Sequence, residues 1–319
     1  MNKFDLESLM EALVDDNLQL VEQFEETKRL DLPFEVDETT RLRVNASMAS
    51  GVPTFSIRII RNRVIDVDAL GLRDIITQLK DIRSGLVLIT GKVNSGKTTT
   101  LNAFIQEVNK TFNKKVVMLE EPIEYRHKSD KAVIVQKEVT KIGDIPSYYD
   151  GVINLLREDS DIAIIGEIRD RQTMDAVIDL AESGGLVVGT LHTRSCGETI
   201  DRILSMYDPN EQKAIKYSLS GVLKMVVSQR LVKGVDGQTV LVPETMTVNS
   251  TVAALIRQDK FSVSEIQDAI HHSNARGMLS FERSFTNLYK RNIIDMAAIR
   301  NNVEENSLNL ITNLIGGGF

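Results

Sequence analysis

Cysteine is almost absent from this sequence, since Cys196 is the one cysteine among 319 residues. A single thiol excludes a disulfide within the chain and a zinc site built only from cysteines. Long apolar runs are also lacking, because none approaches the roughly 20 residues that a membrane-spanning helix requires. The first residues, MNKFDL, have no apolar core of the kind found in signal peptides. We therefore expect a cytoplasmic protein.

The sequence also has fewer basic than acidic residues. The 38 lysines and arginines are outnumbered by 45 acidic residues, which gives a formal net charge of −7. A protein that mainly binds nucleic acid needs clustered positive charge to neutralise phosphates, so we expect no nucleic-acid partner. The hydrophobic fraction of 42% is enough for real cores, and 319 residues suit two domains.

The amino-terminal part predicts a small α+β domain. Residues 5–29 carry apolar side chains at helical spacing, and we expect one amphipathic helix there. The stretches 41–45 and 55–59 alternate between apolar and polar residues on either side of the turn-like ASGVP. This pattern predicts a hairpin with one apolar face and arginines on the other. We place the end of this first domain at residue 68.

Residues 69–319 predict a larger α/β domain. Four apolar runs without alternation are separated by helical patterns, as expected for strands buried on both faces of a parallel sheet. These runs are 86–90, 116–119, 162–165 and 186–190. The carboxyl ends of parallel strands meet at one edge of a sheet, so the residues after each run are candidates for a shared site.

The segment after the first run, GKVNSGKT at 91–98, fits the phosphate-binding pattern G-x-x-x-x-G-K-[ST]. A strand precedes it and a helix with an apolar stripe follows, which is the arrangement that points free backbone amides at a phosphate. We predict that Lys97 reaches the β- and γ-phosphates and that Thr98 places its hydroxyl on Mg²⁺. The predicted nucleotide-binding residues are Gly91, Val93, Asn94, Ser95, Gly96, Lys97, Thr98 and Thr99.

Carboxylates follow two of the other runs. Glu167 stands just after 162–165, where it can hold Mg²⁺ through water or polarise the attacking water. Glu121 and Glu124 follow 116–119 and can orient and deprotonate that water, or they can be solvated surface. The spacing does not choose between Glu167 and Glu124 as the base.

Further charged side chains are candidates for phosphate contact. His192 follows the fourth run, where it can sense the phosphates or be structural. Five arginines can contact phosphates across a subunit boundary, as an arginine finger does, although an ordinary surface position competes for each. They are Arg169 and Arg171, just past the acidic residue of the third run, and Arg41, Arg43 and Arg58 in the first domain.

Several ordered segments resemble the secretion ATPase superfamily, and within it the type IV pilus retraction ATPases. The segments are GKVNSGKTTT at 91–100, LEEPIEY at 119–125 (the family's Asp box), LREDSDIAIIGEIRD at 156–170 and GGLVVGTLHTRSCGETIDRIL at 184–204 (the His box). VVSQRLV at 226–232, GMLSFERSFTNLYKRNII at 277–294 and RLRVN at 41–45 extend the resemblance over nearly the whole chain.

The resemblance implies a RecA-like P-loop NTPase domain with a mainly parallel sheet, preceded by a short PAS-like domain. It implies an Mg-dependent ATPase in a homohexamer, with ATP between the RecA-like domain of one subunit and the PAS-like domain of the next. Hydrolysis would act on an inner-membrane platform protein, PilC-like, to disassemble a type IV pilus in twitching motility. The chain would then meet the cytoplasmic face of the membrane only through partners.

The same resemblance implies roles for individual residues. Glu167 would be the Walker B glutamate, Glu124 the Asp-box glutamate and His192 the His-box histidine. Cross-subunit contacts are implied for Arg41, Arg43 and Arg58.

This sequence also departs from the family pattern. Glu121 stands where aspartate is usual, and Gly185 stands where the His box usually begins with a histidine. We expect the first domain to be short or incomplete by comparison with the family. One alternative is a motor for pilus extension or for type II or type IV secretion. Another, of a different class, is a nucleotide-binding adaptor with little hydrolysis.

Overall fold

The computed structural model describes residues 3–14, 17–37, 40–61, 66–140 and 143–316. Its amino-terminal part is a three-stranded antiparallel sheet in the order β1-β2-β3, with two helices packed against one face. The elements are α1 (Lys3–Val14), α2 (Leu18–Thr27), β1 (Arg29–Asp37), β2 (Thr40–Ala49) and β3 (Val52–Arg61).

The prediction of one helix over residues 5–29 is wrong. Asn17 starts a separate helix, because its side chain accepts the backbone N–H groups of Gln19 and Leu20 as an N-cap. That helix ends at Lys28, which has the left-handed φ of 54° that commonly terminates a helix. The chain then turns into β1 at Arg29, a strand missing from the predicted elements although polar and apolar residues alternate along it.

The predicted hairpin is confirmed as β2 and β3. The two strands pair antiparallel, with Arg43 opposite Arg58 and Val44 opposite Ile57. Val44 is fully buried under the helices, whereas Ile57 is 45% exposed at the outer edge of the sheet. The apolar face is therefore covered only in part.

The larger part of the chain contains a seven-stranded sheet in the order β10-β9-β4-β8-β7-β5-β6. All neighbouring pairs are parallel except β9 with β10. The strands are β4 (Gly85–Thr90), β5 (Lys115–Glu120), β6 (Val133–Glu138), β7 (Ile162–Ile165), β8 (Leu186–Leu191), β9 (Leu223–Lys233) and β10 (Thr239–Thr247). The four predicted runs are confirmed as β4, β5, β7 and β8, which are adjacent in this sheet.

Helices cover both faces of the large sheet, as continuous apolar strands require. Alternate residues of β4 enter two separate cores, Leu86 and Leu88 on one side and Val87 and Ile89 on the other. Helices α3 (Arg73–Asp81) and α4 (Lys97–Thr111) pack on the Val87 side. The opposite face carries α5 (Tyr148–Leu155), α6 (Arg171–Glu182), α7 (Cys196–Leu204), α8 (Gln212–Val222), α9 (Ser250–Arg257) and α10 (Val263–His272).

The carboxyl-terminal helices form a smaller cluster of their own. They pack against β9 and β10 around Phe281, Phe285 and Val242. They are α11 (Phe281–Lys290), α12 (Met296–Arg300) and α13 (Glu305–Gly316). No helix in the part of the chain described above is long and apolar enough to cross a lipid bilayer. The division into domains at residue 68 stays a prediction.

Candidate nucleotide site

Four adjacent parallel strands bring predicted site residues to one edge of the sheet. In spatial order these strands are β4, β8, β7 and β5, so their carboxyl ends lie side by side. The phosphate loop follows β4, His192 follows β8, Glu167 follows β7 and Glu121 follows β5. The fold therefore places four chain segments that are distant in sequence around one site.

The phosphate loop, residues 91–96, joins β4 to α4. Asn94 and Gly96 have the left-handed φ values of 63° and 89° that turn the chain back toward the helix. Gly96 is the N-cap of α4 and supplies no side-chain hydrogen bond to the helix. The first amides of α4 therefore keep their capacity to bind an anion, which the helix dipole also favours.

Lys97, the first residue of α4, is 8% exposed and points back into its own loop. Its Nζ donates to the carbonyl oxygens of Gly91 at 2.9 Å and Lys92 at 3.1 Å. Burial lowers the pKa of Lys97, and the nearby Glu167 carboxylate opposes that effect in part. The ammonium lies where it can exchange these carbonyls for phosphate oxygens.

His192 links the lysine to the carboxylate of Glu167. Its Nδ1 lies 3.3 Å from the Lys97 Nζ, and its Nε2 lies 3.2 Å from the Glu167 Oε1. An ammonium can only donate, so Nδ1 accepts and the ring proton of the neutral imidazole sits on Nε2. That proton points at Glu167, and the three side chains form one connected polar chain.

Arg169 extends this chain to a second glutamate. Its guanidinium lies 2.8 Å from the Glu167 Oε2 and 3.1 Å from the Glu121 Oε2. Burial acts to raise the pKa of Glu167, but Arg169 and then His192 and Lys97 outweigh it, so the pKa is lowered. Glu167 is therefore a carboxylate at neutral pH, held by groups of its own chain.

Two side chains near the phosphate loop have oxygen atoms suited to the predicted magnesium ion. Thr98 presents a hydroxyl from the first turn of α4, and Glu167 presents a carboxylate whose side chain is 22% exposed. Hydroxyl and carboxylate oxygens are the ligands that Mg²⁺ takes in proteins. The donor set is thus consistent with Mg²⁺ at this edge.

Other predicted site residues make different contacts. Arg41 donates from Nη1 to the Ile123 carbonyl at 2.5 Å and lies 3.5 Å from Glu138, both in its own chain. Arg171 forms a bidentate pair with Glu211 at 2.8 and 2.7 Å. Their roles toward a neighbouring subunit stay predictions.

Three further predicted residues do not join the polar chain. Arg43 and Arg58 face each other across β2 and β3, and neither has an ion-pair partner among the residues that the structure describes. Glu124 is partly buried on the loop after β5. Within the described part of the chain, it makes no hydrogen bond or ion pair with Lys97 or Glu167. Its candidacy as the base stays a prediction.

Gly185 lies at the opposite edge of the sheet from this site. It immediately precedes β8, and its carbonyl accepts the N–H of Gly85 at the start of β4. His192 follows the other end of the same six-residue strand, which is about 20 Å away at the usual rise per residue. A histidine at position 185 would therefore not reach the phosphate loop of its own chain.

The structure also brings in residues to which the sequence patterns assigned no role. Gln229, 2% exposed on β9, donates from Nε2 to the Thr100 hydroxyl of α4 at 2.6 Å. The Thr90 hydroxyl, at the end of β4, lies 2.6 Å from that of Ser228. Gln229 and Ser228 belong to the VVSQRLV segment, which the family resemblance includes without indicating which side chains these two residues contact. Tyr148, buried beside Glu121, had no signal in the sequence.

Gly91 is expected to be sensitive to substitution because a methyl group there has no room. A Cβ at this position would lie 2.6 Å from the Gln229 carbonyl oxygen, and the φ of 152° is unfavourable for other residues. Gly91→Ala should weaken nucleotide binding about tenfold or more by displacing the loop. Titration with a fluorescent ADP analogue measures this.

The matched control is Gly184→Ala. Gly184 also has a positive φ, 109°, but a Cβ added there would meet no atom within 4 Å. The substitution should cost about 1 kcal/mol of stability and leave nucleotide affinity unchanged. Equal affinities for both variants and the wild type would contradict the expectation.

A buried carboxylate anchors the helix that follows His192. Glu244 of β10 is 4% exposed, and its Oε2 accepts the backbone N–H of Cys196 at 2.6 Å, at the start of α7. Ser195 caps the same helix by accepting the N–H of Glu198. The His192 loop is therefore held to β10 as well as to its own helix.

Glu244→Gln is expected to stabilise the protein at pH 8 and to change little at pH 5. Burial raises the pKa of Glu244 from 4.5 to about 7. The folded protein thus binds this proton more tightly than the unfolded chain, and ionisation destabilises the fold as pH rises through that window. The gain at pH 8 is about 3 kcal/mol at most. Urea unfolding at both pH values measures this gain.

The control for this prediction is Glu182→Gln, because Glu182 is exposed at the end of α6. An equal gain for Glu244→Gln at pH 5 and pH 8 would contradict the argument.

Fold and site together define a RecA-like P-loop NTPase, as predicted. The chain belongs to the Type II/IV secretion system protein family, whose model matches residues 12–307. It is 35% identical over 271 residues to the type IV pilus retraction ATPase PilT of Pseudomonas aeruginosa, covering 85% of this chain and 78% of that protein. It is 31% identical over 301 residues to a twitching motility protein of Neisseria gonorrhoeae, covering 94% and 79%.

Solved structures show the same likeness. The crystal structure of the pilus retraction motor PilT with bound ADP superposes with a TM-score of 0.83 at 31% identity, covering 92% of this chain and 83% of that one. The ATPase DotB of Legionella pneumophila superposes with a TM-score of 0.80 at 26% identity, covering 94% and 83%. The predicted family is confirmed.

Proposed function

We propose that this protein is an Mg-dependent ATPase that powers type IV pilus retraction as a homohexameric motor. The observation that carries the proposal is the polar chain from Lys97 through His192 to Glu167, built at the phosphate loop. Similarity to PilT and to a twitching motility protein over most of the chain supports the retraction assignment.

The side chains divide the chemistry among them. The amides of the phosphate loop and the Lys97 ammonium bind and orient the phosphates. Glu167, as a carboxylate, orients the attacking water and can accept its proton. His192 orients that carboxylate relative to the Lys97 ammonium by contacting both groups. Mg²⁺ bound at Thr98 and Glu167 would supply positive charge to the phosphate oxygens. This arrangement leaves Glu124 as the competing base.

The assembly and its partners belong to the same proposal. The nucleotide would be shared with the first domain of a neighbouring subunit, whose Arg41, Arg43 and Arg58 are the candidates for contact. Arg41 would have to leave its contacts with Ile123 and Glu138 to take part. The ring would act on a PilC-like platform protein at the cytoplasmic face of the membrane.

Steady-state phosphate release by the purified protein tests the enzymatic part of the proposal. We expect Mg-dependent release that depends on Lys97 and Glu167. A wild type no faster than both Lys97→Ala and Glu167→Gln would favour the nucleotide-binding adaptor instead.

Piliation of cells that lack the protein tests the direction of action. Loss of a retraction motor should leave pili present and permanently extended. Cells without pili would reject retraction and favour an extension motor.

A further inference from the structure

A histidine outside the polar chain contacts the helix that follows the phosphate loop. His127 lies on the β5–β6 loop, which we define as residues 121–132. Its Nε2 lies 2.5 Å from the Oδ1 of Asn102, a fully buried side chain on α4. Asn102 in turn donates from Nδ2 to the carbonyl of Thr98 at 2.9 Å. The β5–β6 loop thus reaches the first turn of α4 through two side chains.

The hydrogen bonds assign the proton on this histidine. Because Asn102 uses its amide nitrogen toward the Thr98 carbonyl, its oxygen faces His127 and can only accept. The Nε2 of His127 therefore carries the proton. Burial lowers the pKa of His127 to about 4, so the ring is neutral near pH 7 and keeps this single donor.

The other end of this network lies at the carboxyl end of β5. The backbone N–H of His127 donates to the Oε1 of Gln136 at 2.9 Å. Gln136 donates from Nε2 to the Glu120 carboxylate at 2.8 Å and to the Tyr125 carbonyl at 2.7 Å. The next residue after Glu120 is Glu121, which pairs with Arg169 at the site. The position of His127 is therefore set from the same strand end that presents the acidic residues.

We infer that His127 and Asn102 form a positioning pair that fixes the first turn of α4 against the β5–β6 loop. The pair holds the Thr98 backbone, and with it the Thr98 hydroxyl and the adjacent amides, in the geometry that binds nucleotide. Neither residue touches the phosphates in this role. The inference rests on the proposed function, because its effect appears in nucleotide binding.

Two amide substitutions of His127 distinguish a positioning role from one that only fills space. Glutamine places its side-chain nitrogen near the position of Nε2, whereas asparagine is too short to do so. We expect His127→Gln to bind a fluorescent ADP analogue within about twofold of the wild type. His127→Asn should bind it about tenfold more weakly, as expected when a buried acceptor loses its donor. Thermal unfolding of both variants shows that the protein measured is folded.

A double-mutant cycle tests whether the two residues act together. Asn102→Ala should weaken binding of the ADP analogue by a similar factor. Adding His127→Asn to it should cause little further loss, because the interaction is already gone. His272→Asn is the matched control, since that histidine is exposed on α10 and its hydrogen bond, to the Asp268 carbonyl, lies within the same helix. It should bind like the wild type.

The outcomes of these measurements are distinct. Equal affinities for His127→Gln and His127→Asn, or additive losses in the cycle, would overturn the positioning pair while leaving the ATPase proposal intact. A wild type that binds no nucleotide would overturn both.

Discussion

Lys97→Ala is expected to reduce the rate of phosphate release by at least about a hundredfold, the cost typical of losing a preorganised charge in an active site. The lysine is 8% exposed at the first turn of α4, and its ammonium is held within the phosphate loop by two carbonyl oxygens. Its removal also takes a donor from the carbonyl oxygens of Gly91 and Lys92, of which the Lys92 oxygen keeps the Ser95 N–H at 3.2 Å. Both phosphate binding and the shape of the loop should suffer, and steady-state phosphate release together with ADP titration measures the two effects.

The control for this prediction is Lys92→Ala. Lys92 lies in the same loop, but its side chain is exposed and only its carbonyl takes part in the contact with Lys97. The substitution therefore removes an equal charge without removing the buried donor, and hydrolysis should change less than about threefold. If both alanine variants lost activity equally, net charge near the loop would explain the effect and the role of the buried lysine would be refuted.

Glu167→Gln is expected to lower hydrolysis by at least about a hundredfold while retaining nucleotide affinity within about threefold. The amide has the shape of the carboxylate but cannot accept a proton from water. Glu167 also has a lowered pKa, because Arg169, His192 and Lys97 together outweigh its burial. The wild-type group is thus an anion at neutral pH, and the variant removes that anion from the centre of the polar chain. Phosphate release and ADP titration on the same preparation measure the separation.

Two further variants make this result interpretable. Glu211→Gln breaks a glutamate–arginine pair, with Arg171, that is not part of the polar chain around Glu167. It should leave hydrolysis unchanged. Glu124→Gln addresses the choice of base, because a larger loss there than in Glu167→Gln would transfer that role to Glu124. An active Glu167→Gln enzyme would remove Glu167 from the chemistry.

The elements that could be predicted from sequence are those whose signal is local. The strands β4, β5, β7 and β8 are short apolar runs buried on both faces, and α4 has an apolar stripe at helical spacing that is buried as expected. The break near Asn17 was missed because the apolar spacing continues across it, so the pattern alone resembles one helix. The N-cap side chain of Asn17 starts the second helix.

Two strands at the edges of their sheets were missed although each has a local signal. The strand β6 begins with an apolar run at 133–135, but its second half is polar and none of its six residues is fully buried. The first strand, β1, alternates polar and apolar residues, with Leu30, Leu32 and Phe34 packed on the helices. Pro33 weakens that signal because it cannot donate to a strand ladder, and the edge position is where a sheet tolerates it.

The sequence by itself determined the phosphate loop, because glycine at the turn, lysine at the first helical position and the flanking strand and helix are all consecutive in the chain. It also placed acidic residues and His192 after apolar runs. Only the tertiary structure decided which of them meet. The strand order β4-β8-β7-β5 places His192 between Lys97 and Glu167. It also brings Arg169 within ion-pair distance of Glu121. Gly185 lies at the opposite edge of the sheet, because it precedes β8. These contacts depend on strand order, a long-range property that local spacing does not encode.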